Sequence, residues 1–217
     1  GAPFRPMEGG GVRFRDTPTE GELLSANLAG NVIEAKFRLG SRIVEYHLRL
    51  WQKSLVLDVW CDGGEATEMS FGRVSGVKQP KLITAPYLSY RYNWNPRVLM
   101  SGSESSPVFT SVWFDWYRTN ASEPFCAEEP KVTDSSAEIN GGMRYIAKTD
   151  GRRNDLYERI FVTNSPLYEE TLPTIPNPPS LAQREGSRRV WTVTAPSTFQ
   201  SDHQRSREIA SYGIDSI

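Results

Sequence analysis

Polar and apolar side chains alternate most regularly between Val32 and Cys61. In the stretch Val32–Leu39, Ile33, Ala35 and Phe37 fall on one side and Glu34, Lys36 and Arg38 on the other. Successive side chains of a strand leave the backbone on opposite faces, so this period of two predicts a strand with one buried face. Gly40 and Ser41 supply a turn. The stretch Arg42–Trp51 then places Val44, Tyr46, Leu48 and Leu50 inward and Glu45, His47 and Arg49 outward. Gln52, Lys53 and Ser54 form a short hairpin loop into residues 55–61, where Leu57 and Val59 point inward. The three segments predict an antiparallel meander with one wet face.

Six further strands are predicted at residues 82–85, 88–94, 97–100, 108–114, 143–148 and 156–163, separated by clusters of Gly, Pro, Asn and Ser. No convincing amphipathic helix interrupts residues 23–172. A single open sheet of so many strands would leave an apolar face uncovered, so the expectation is a mainly β domain of two facing antiparallel sheets. Its length exceeds that of one immunoglobulin-like sandwich. Residues 1–22 read as a flexible lead-in, with Gly9 to Gly11 lacking the strand and helix that would make them a phosphate loop.

The last thirty residues differ in kind. Residues 173–187 begin with PTIPNPPS, a proline-rich connector that must be extended. Within residues 188–217, residues 190–194 are β-branched and aromatic and predict a strand stopped by Pro196. Ser201 and Gln204 fit a capping box that opens a helix running to about Ser211, with Gly213 suited to the left-handed position that closes it. Ile214 to Ile217 then resemble the first residues of another strand. Strand, helix and strand make a βαβ unit, so the expectation is a chain cut just inside a second domain.

Composition narrows the classes. A chain of 217 residues with 38% hydrophobic content can bury roughly 70% of its unfolded surface. Its net charge is −1 and its pI about 6.2, which gives no overall field for nucleic acid or an anionic membrane. No apolar run approaches the ~20 residues needed to span a bilayer. Cys61 and Cys126 are too few for a disulfide scaffold and lack zinc spacing, leaving two free thiols or one bridge. Asp58, Asp62, Glu65 and Glu68 lack the spacing of a calcium loop. No metal or cofactor is therefore expected. Asn120, Ala121 and Ser122 match a glycosylation acceptor, a pattern that matters only in a eukaryotic secretory protein.

Three stretches carry a resemblance: PYLSYRYNW at residues 86–94, FTSVWFDWYRTNAS at 109–122 and YGID at 212–215. With the order of elements, they resemble the front of certain bacterial glycoside hydrolases. The resemblance implies a galactose-mutarotase-like β-supersandwich at residues 23–172 and the start of a (β/α)₈ catalytic barrel at 188–217. It further implies an oligo- or polysaccharide partner, the chain's own C-terminal catalytic domain as a neighbour, and a secreted or periplasmic location. The catalytic carboxylates would then lie outside this chain, which is expected to be inactive alone.

Candidate binding residues follow. In a barrel, Ser197, Thr198, Asp202 and His203 come just after the first strand and would face substrate; Asp202 and His203 equally suit the start of a helix. Trp94, in a run with Tyr90 and Tyr92, and Trp116, beside Trp113, Phe114 and Tyr117, could stack on sugar rings or fill the core. Mutarotase chemistry requires a Glu and, in the family, two His. Only His47 lies in the sandwich, on the polar side of its strand between Glu45 and Arg49, and His203 belongs to the C-terminal helix. Three functions stay open: an accessory sandwich of a glycoside hydrolase, a stand-alone carbohydrate-binding or surface protein, and an aldose 1-epimerase-like enzyme, which the histidine count disfavours.

Overall fold

A computed structural model of the chain describes residues 3–16, 21–85, 88, 94–103, 105–173, 181–186 and 198–214. The chain divides into two compact units, Gly1–Pro173 and Thr174–Ile217. The first holds every described strand. In order these are β1 (Arg5–Glu8), β2 (Gly11–Arg13), β3 (Glu22–Ala29), β4 (Val32–Leu39), β5 (Arg42–Trp51), β6 (Ser54–Cys61), β7 (Glu68–Ser70) and β8 (Arg73–Ser75). There follow β9 (Lys81–Thr84), β10 (Arg97–Ser103), β11 (Ser106–Phe114), β12 (Glu123–Phe125), β13 (Ser136–Ala137), β14 (Gly142–Arg144) and β15 (Leu156–Ser165). A 3₁₀ turn at Tyr168–Thr171 ends the unit.

Local turn chemistry builds the largest sheet. Leu39 pairs with Arg42 around Gly40, and Trp51 with Ser54 around Gln52; both turn residues adopt positive φ, 65° and 52°. Such turns match the twist of the strands they join. The resulting antiparallel sheet has eight strands in the order β3-β4-β5-β6-β15-β11-β10-β9. The facing layer is split into a four-stranded sheet, β12-β14-β7-β2, and a three-stranded one, β1-β8-β13. All three meet in one core. Val44, Val59, Val112 and Ile160 come from the large sheet, Val12, Met69 and Met143 from the four-stranded sheet, and Val74 and Ala137 from the small one. The fold is thus mainly β and sandwich-like.

Alternation assigned the faces of the meander correctly at its centre, where Val44 and Val59 are completely buried and Tyr46, Leu48 and Leu57 half-buried. It failed elsewhere, and Ile33, on the apolar side of β4, is 47% exposed. Leu50, expected inward, is 78% exposed, because it pairs with Leu55 one step from the hairpin tip, beyond the core cluster. Glu45 and Arg49, expected exposed, are half-buried because the outer face carries its own layer of side chains. Lys36 pairs with Glu45 at 2.9 Å, and Arg159 grips both oxygens of Asp58 at 2.6 and 3.0 Å. Trp60 lies between His47 and Tyr157 in the same layer, at ring distances of 4.6 and 5.4 Å. At one end the 3₁₀ turn covers this face: Tyr168 meets Phe109, and Trp113 Nε1 donates to the Thr171 carbonyl at 2.6 Å.

The expected lead-in is also corrected. β1 and β2 are strands of two different sheets, and Gly9 to Gly11 turn the chain between them. Gly9 and Gly11 have φ of 71° and 127°, conformations that glycine adopts without steric cost.

The second unit contains α1 (Leu181–Gly186) and α2 (Phe199–Ser211). The cap of α2 lies three residues before the expected Ser201. Thr198 is the N-cap: Ser201 N–H donates to Thr198 Oγ1 at 3.3 Å and Thr198 N–H to Ser201 Oγ at 3.1 Å. The helix ends at Ser211, as expected, and Gly213 has φ of 83°. The expected strand at 190–194, residues 174–180 of the connector and 215–217 lie outside the described residues, as do 89–93 of the expected strand at 88–94. Among the described residues no helix is long and apolar enough to cross a membrane.

Candidate functional site

The four-stranded sheet positions the most distinctive surface of the molecule. Its register aligns Val12, Met69, Met143 and Pro124 in one row, and the first three are buried in the core. The neighbouring residues must therefore face away from the core. They form a row of alternating charge across the four strands, Arg13, Glu68, Arg144 and Glu123. The next outward row is Gly11, Ser70, Gly142 and Phe125, in which two positions have no side chain. A cleft of about 600 Å³ opens over it, bounded by Glu8, Arg73, the start of β10 at Arg97, and the loop from Cys126 to Gly141.

Specific contacts, most of them between residues far apart in the chain, fix the walls. Arg97 N–H donates to Asn140 Oδ1 at 3.2 Å, and buried Asn140 Nδ2 donates to the Val112 carbonyl at 2.6 Å. The Arg97 guanidinium donates to the Ala127 and Glu128 carbonyls at 3.1 and 3.3 Å, anchoring the loop after β12. Arg144 lies over the Phe125 ring, 4.4 Å from its centre. Arg73 Nε donates to Glu8 Oε2 at 2.9 Å. Arg13 reaches the Gly9 carbonyl at 2.5 Å. Gly72 lets β1 approach β8: a Cβ there would lie 2.4 Å from the Glu8 carbonyl oxygen.

Electrostatics give the cleft a sign. Four arginines and two glutamates line it, a surplus of two positive charges in a chain of net charge −1. Hydrogen bonds from Arg5 and then Arg73 hold the Glu8 carboxyl below its usual range. Burial pushes the Glu68 carboxyl up, against the pull of Arg144 and Arg13. Burial likewise raises the Cys126 thiol, which keeps it protonated and weakly nucleophilic at neutral pH. Cleft chemistry is thus dominated by N–H donors on fixed guanidinium groups.

The residues singled out from sequence fall into two separate groups. Trp94 and Trp116 belong to the first unit, and both pack edge-on against Phe114, at 5.8 and 5.7 Å. Trp94 is 5% exposed and so part of the core, while Trp116 is half-buried beside it. Thr198, Asp202 and His203 belong to the second unit: Thr198 caps α2, Asp202 lies in its first turn and His203 is exposed on it. Ser197 lies outside the described residues. His47 shares a hydrogen bond of 2.8 Å with Glu45 on the outer face of the large sheet. Cys61 and Cys126 are both free.

Three of the four acidic residues weighed for calcium are drawn to different partners. Asp58 binds Arg159, Glu65 binds Arg42 at 2.5 Å, and Glu68 stands between Arg13 and Arg144. Among the described residues, no three metal-ligating side chains gather. One buried carboxylate escaped the reading of the sequence altogether. Glu158 points into the core and accepts from Tyr145 Oη at 2.6 Å and Thr119 Oγ1 at 2.8 Å, while its Oε2 has no partner among the described residues. Burial pushes this carboxyl up to about 7.

The arginine cleft was not foreseen either. Its residues come from five short segments, and three of its four arginines stand on strands of three residues. Compared with models of protein families, with curated proteins and with solved structures, the chain finds no match.

Proposed function

We propose that this chain is a non-catalytic, carbohydrate-binding sandwich domain, the front part of a glycoside hydrolase, and that the arginine-lined cleft is its saccharide site. The cleft carries this reading. Its volume of about 600 Å³ falls in the range of small-ligand sites, roughly 300–1,000 Å³. Sugar hydroxyls accept hydrogen bonds readily, and Arg97, held by two backbone carbonyls, offers donors with little freedom left to lose. The Phe125 ring supplies an apolar patch in the same wall.

Holding rather than turnover follows from the groups present. Glu8 is engaged by Arg5 and Arg73, Glu138 accepts the Lys131 N–H at 3.2 Å, and the Cys126 thiol is raised by burial. A stand-alone carbohydrate-binding protein would use the same site. Calorimetric titration of the chain with a panel of oligosaccharides, paired with a reducing-sugar assay, tests the reading. Binding without release of reducing ends is expected; hydrolysis by the chain, or no binding across the panel, would refute it. A mutarotation assay on glucose and galactose is expected to match buffer. Catalysis that disappears in His47→Ala would restore the epimerase alternative.

A further inference from the structure

We infer that the cleft selects saccharides carrying a carboxylate or sulfate group, an inference that rests on the saccharide reading above. A site for neutral sugars needs donors and acceptors in rough balance. Here guanidinium groups prevail, four against two carboxylates, and the carboxylates are already committed within the protein. Glu8 binds both Arg5 and Arg73, and Glu138 closes on the backbone of Lys131. Arg73 and Arg144 are paired with Glu8 and Glu123, at 2.9 and 3.5 Å, and the four arginines line the cleft where Glu123 does not.

Geometry makes that surplus selective. Arg97 uses two of its five N–H groups to hold the Ala127 and Glu128 carbonyls, which fixes the plane of the remaining donors. Arg144 rests over the Phe125 ring, 4.4 Å from its centre, a contact that orients a guanidinium and lowers the entropy lost when it binds. A planar carboxylate, or two oxygens of a sulfate, matches such a fork with two parallel hydrogen bonds. Hydroxyls of a neutral ring form single, weaker bonds and leave the guanidinium charge uncompensated.

The test is calorimetry on the full chain with three oligosaccharides of matched length: a neutral galactan, an oligogalacturonate and a sulfated galactan. Sodium acetate and sodium sulfate serve as free anions. One or both acidic oligosaccharides are expected to bind at least about tenfold more tightly than the neutral one, with an advantage that shrinks as salt rises. Preference for the uronate or for the sulfated chain identifies the anion, and either supports the inference. In Arg73→Gln/Arg144→Gln the advantage is expected to vanish while Tm stays that of the parent. Both side chains are about half exposed, so their loss spares the core. Equal binding of neutral and acidic chains would overturn the selectivity and leave the saccharide reading intact. Free anions binding as tightly as the acidic oligosaccharides, or no oligosaccharide binding at all, would overturn both. An advantage that survives the double substitution would remove the cleft as its source.

Discussion

Glu158 occupies an inward position of β15, between Leu156 and Ile160, where alternation calls for an apolar side chain. Its carboxyl is raised from 4.5 to about 7, so the folded chain holds the proton more tightly than the unfolded chain does. The stabilisation from that proton is complete below pH 4.5 and is lost as pH rises through 7, by up to about 3 kcal/mol. Urea midpoints at pH 5 and pH 8 should show it. Glu158→Gln keeps acceptors for Tyr145 and Thr119 without a titrating charge; its midpoint should stay flat over this interval and exceed the parent's at pH 8. Asp58 presents the opposite case, a carboxylate matched by its neighbours Arg159 and Tyr157. Asp58→Ala should cost roughly 3 kcal/mol in denaturant unfolding, because it strands a guanidinium that is four-fifths buried. Neither environment was legible in the sequence. Each depends on partners far along the chain, such as the pairing of Asp58 with Arg159.

Elements were legible in proportion to their length. Most strands of seven to ten residues repeat the alternation often enough to be seen, and β4 and β5 were placed to the residue, whereas the eight-residue β3 was not foreseen. Strands of two to four residues show two periods at most, and the unforeseen β1, β2, β7, β8 and β12 frame the cleft. The start of α2 was misplaced because Ser197, Thr198 and Ser201 are all competent N-caps, and only the backbone chooses among them. α2 contains no buried residue, so its cap matters more than its packing. Thr198→Ala should cost the helix about 1 kcal/mol, measured as faster amide exchange over residues 199–205. At the β5–β6 hairpin, Gln52 holds a left-handed conformation with a side chain that disfavours it. Gln52→Gly should raise stability by a few tenths to about 1 kcal/mol, read from the thermal midpoint.

For the whole molecule, the two-layer β architecture was readable because many alternating segments without helices have few ways to dry their apolar faces. The order of strands was not, since the decisive neighbours are distant: β15 lies between β6 and β11. That insertion sets a schedule for biosynthesis. Two meanders, β3 to β6 and β9 to β11, emerge from the ribosome with facing edges that nothing yet joins. Only when Ser165 is out can the last strand zip them together. Synthesis at about 5–20 residues per second keeps those edges waiting for seconds, an interval in which holdase chaperones can act. Pulsed hydrogen exchange during refolding should protect the amides of the β4–β5 hairpin before those of β15. The keystone of this sheet is also its latest arrival.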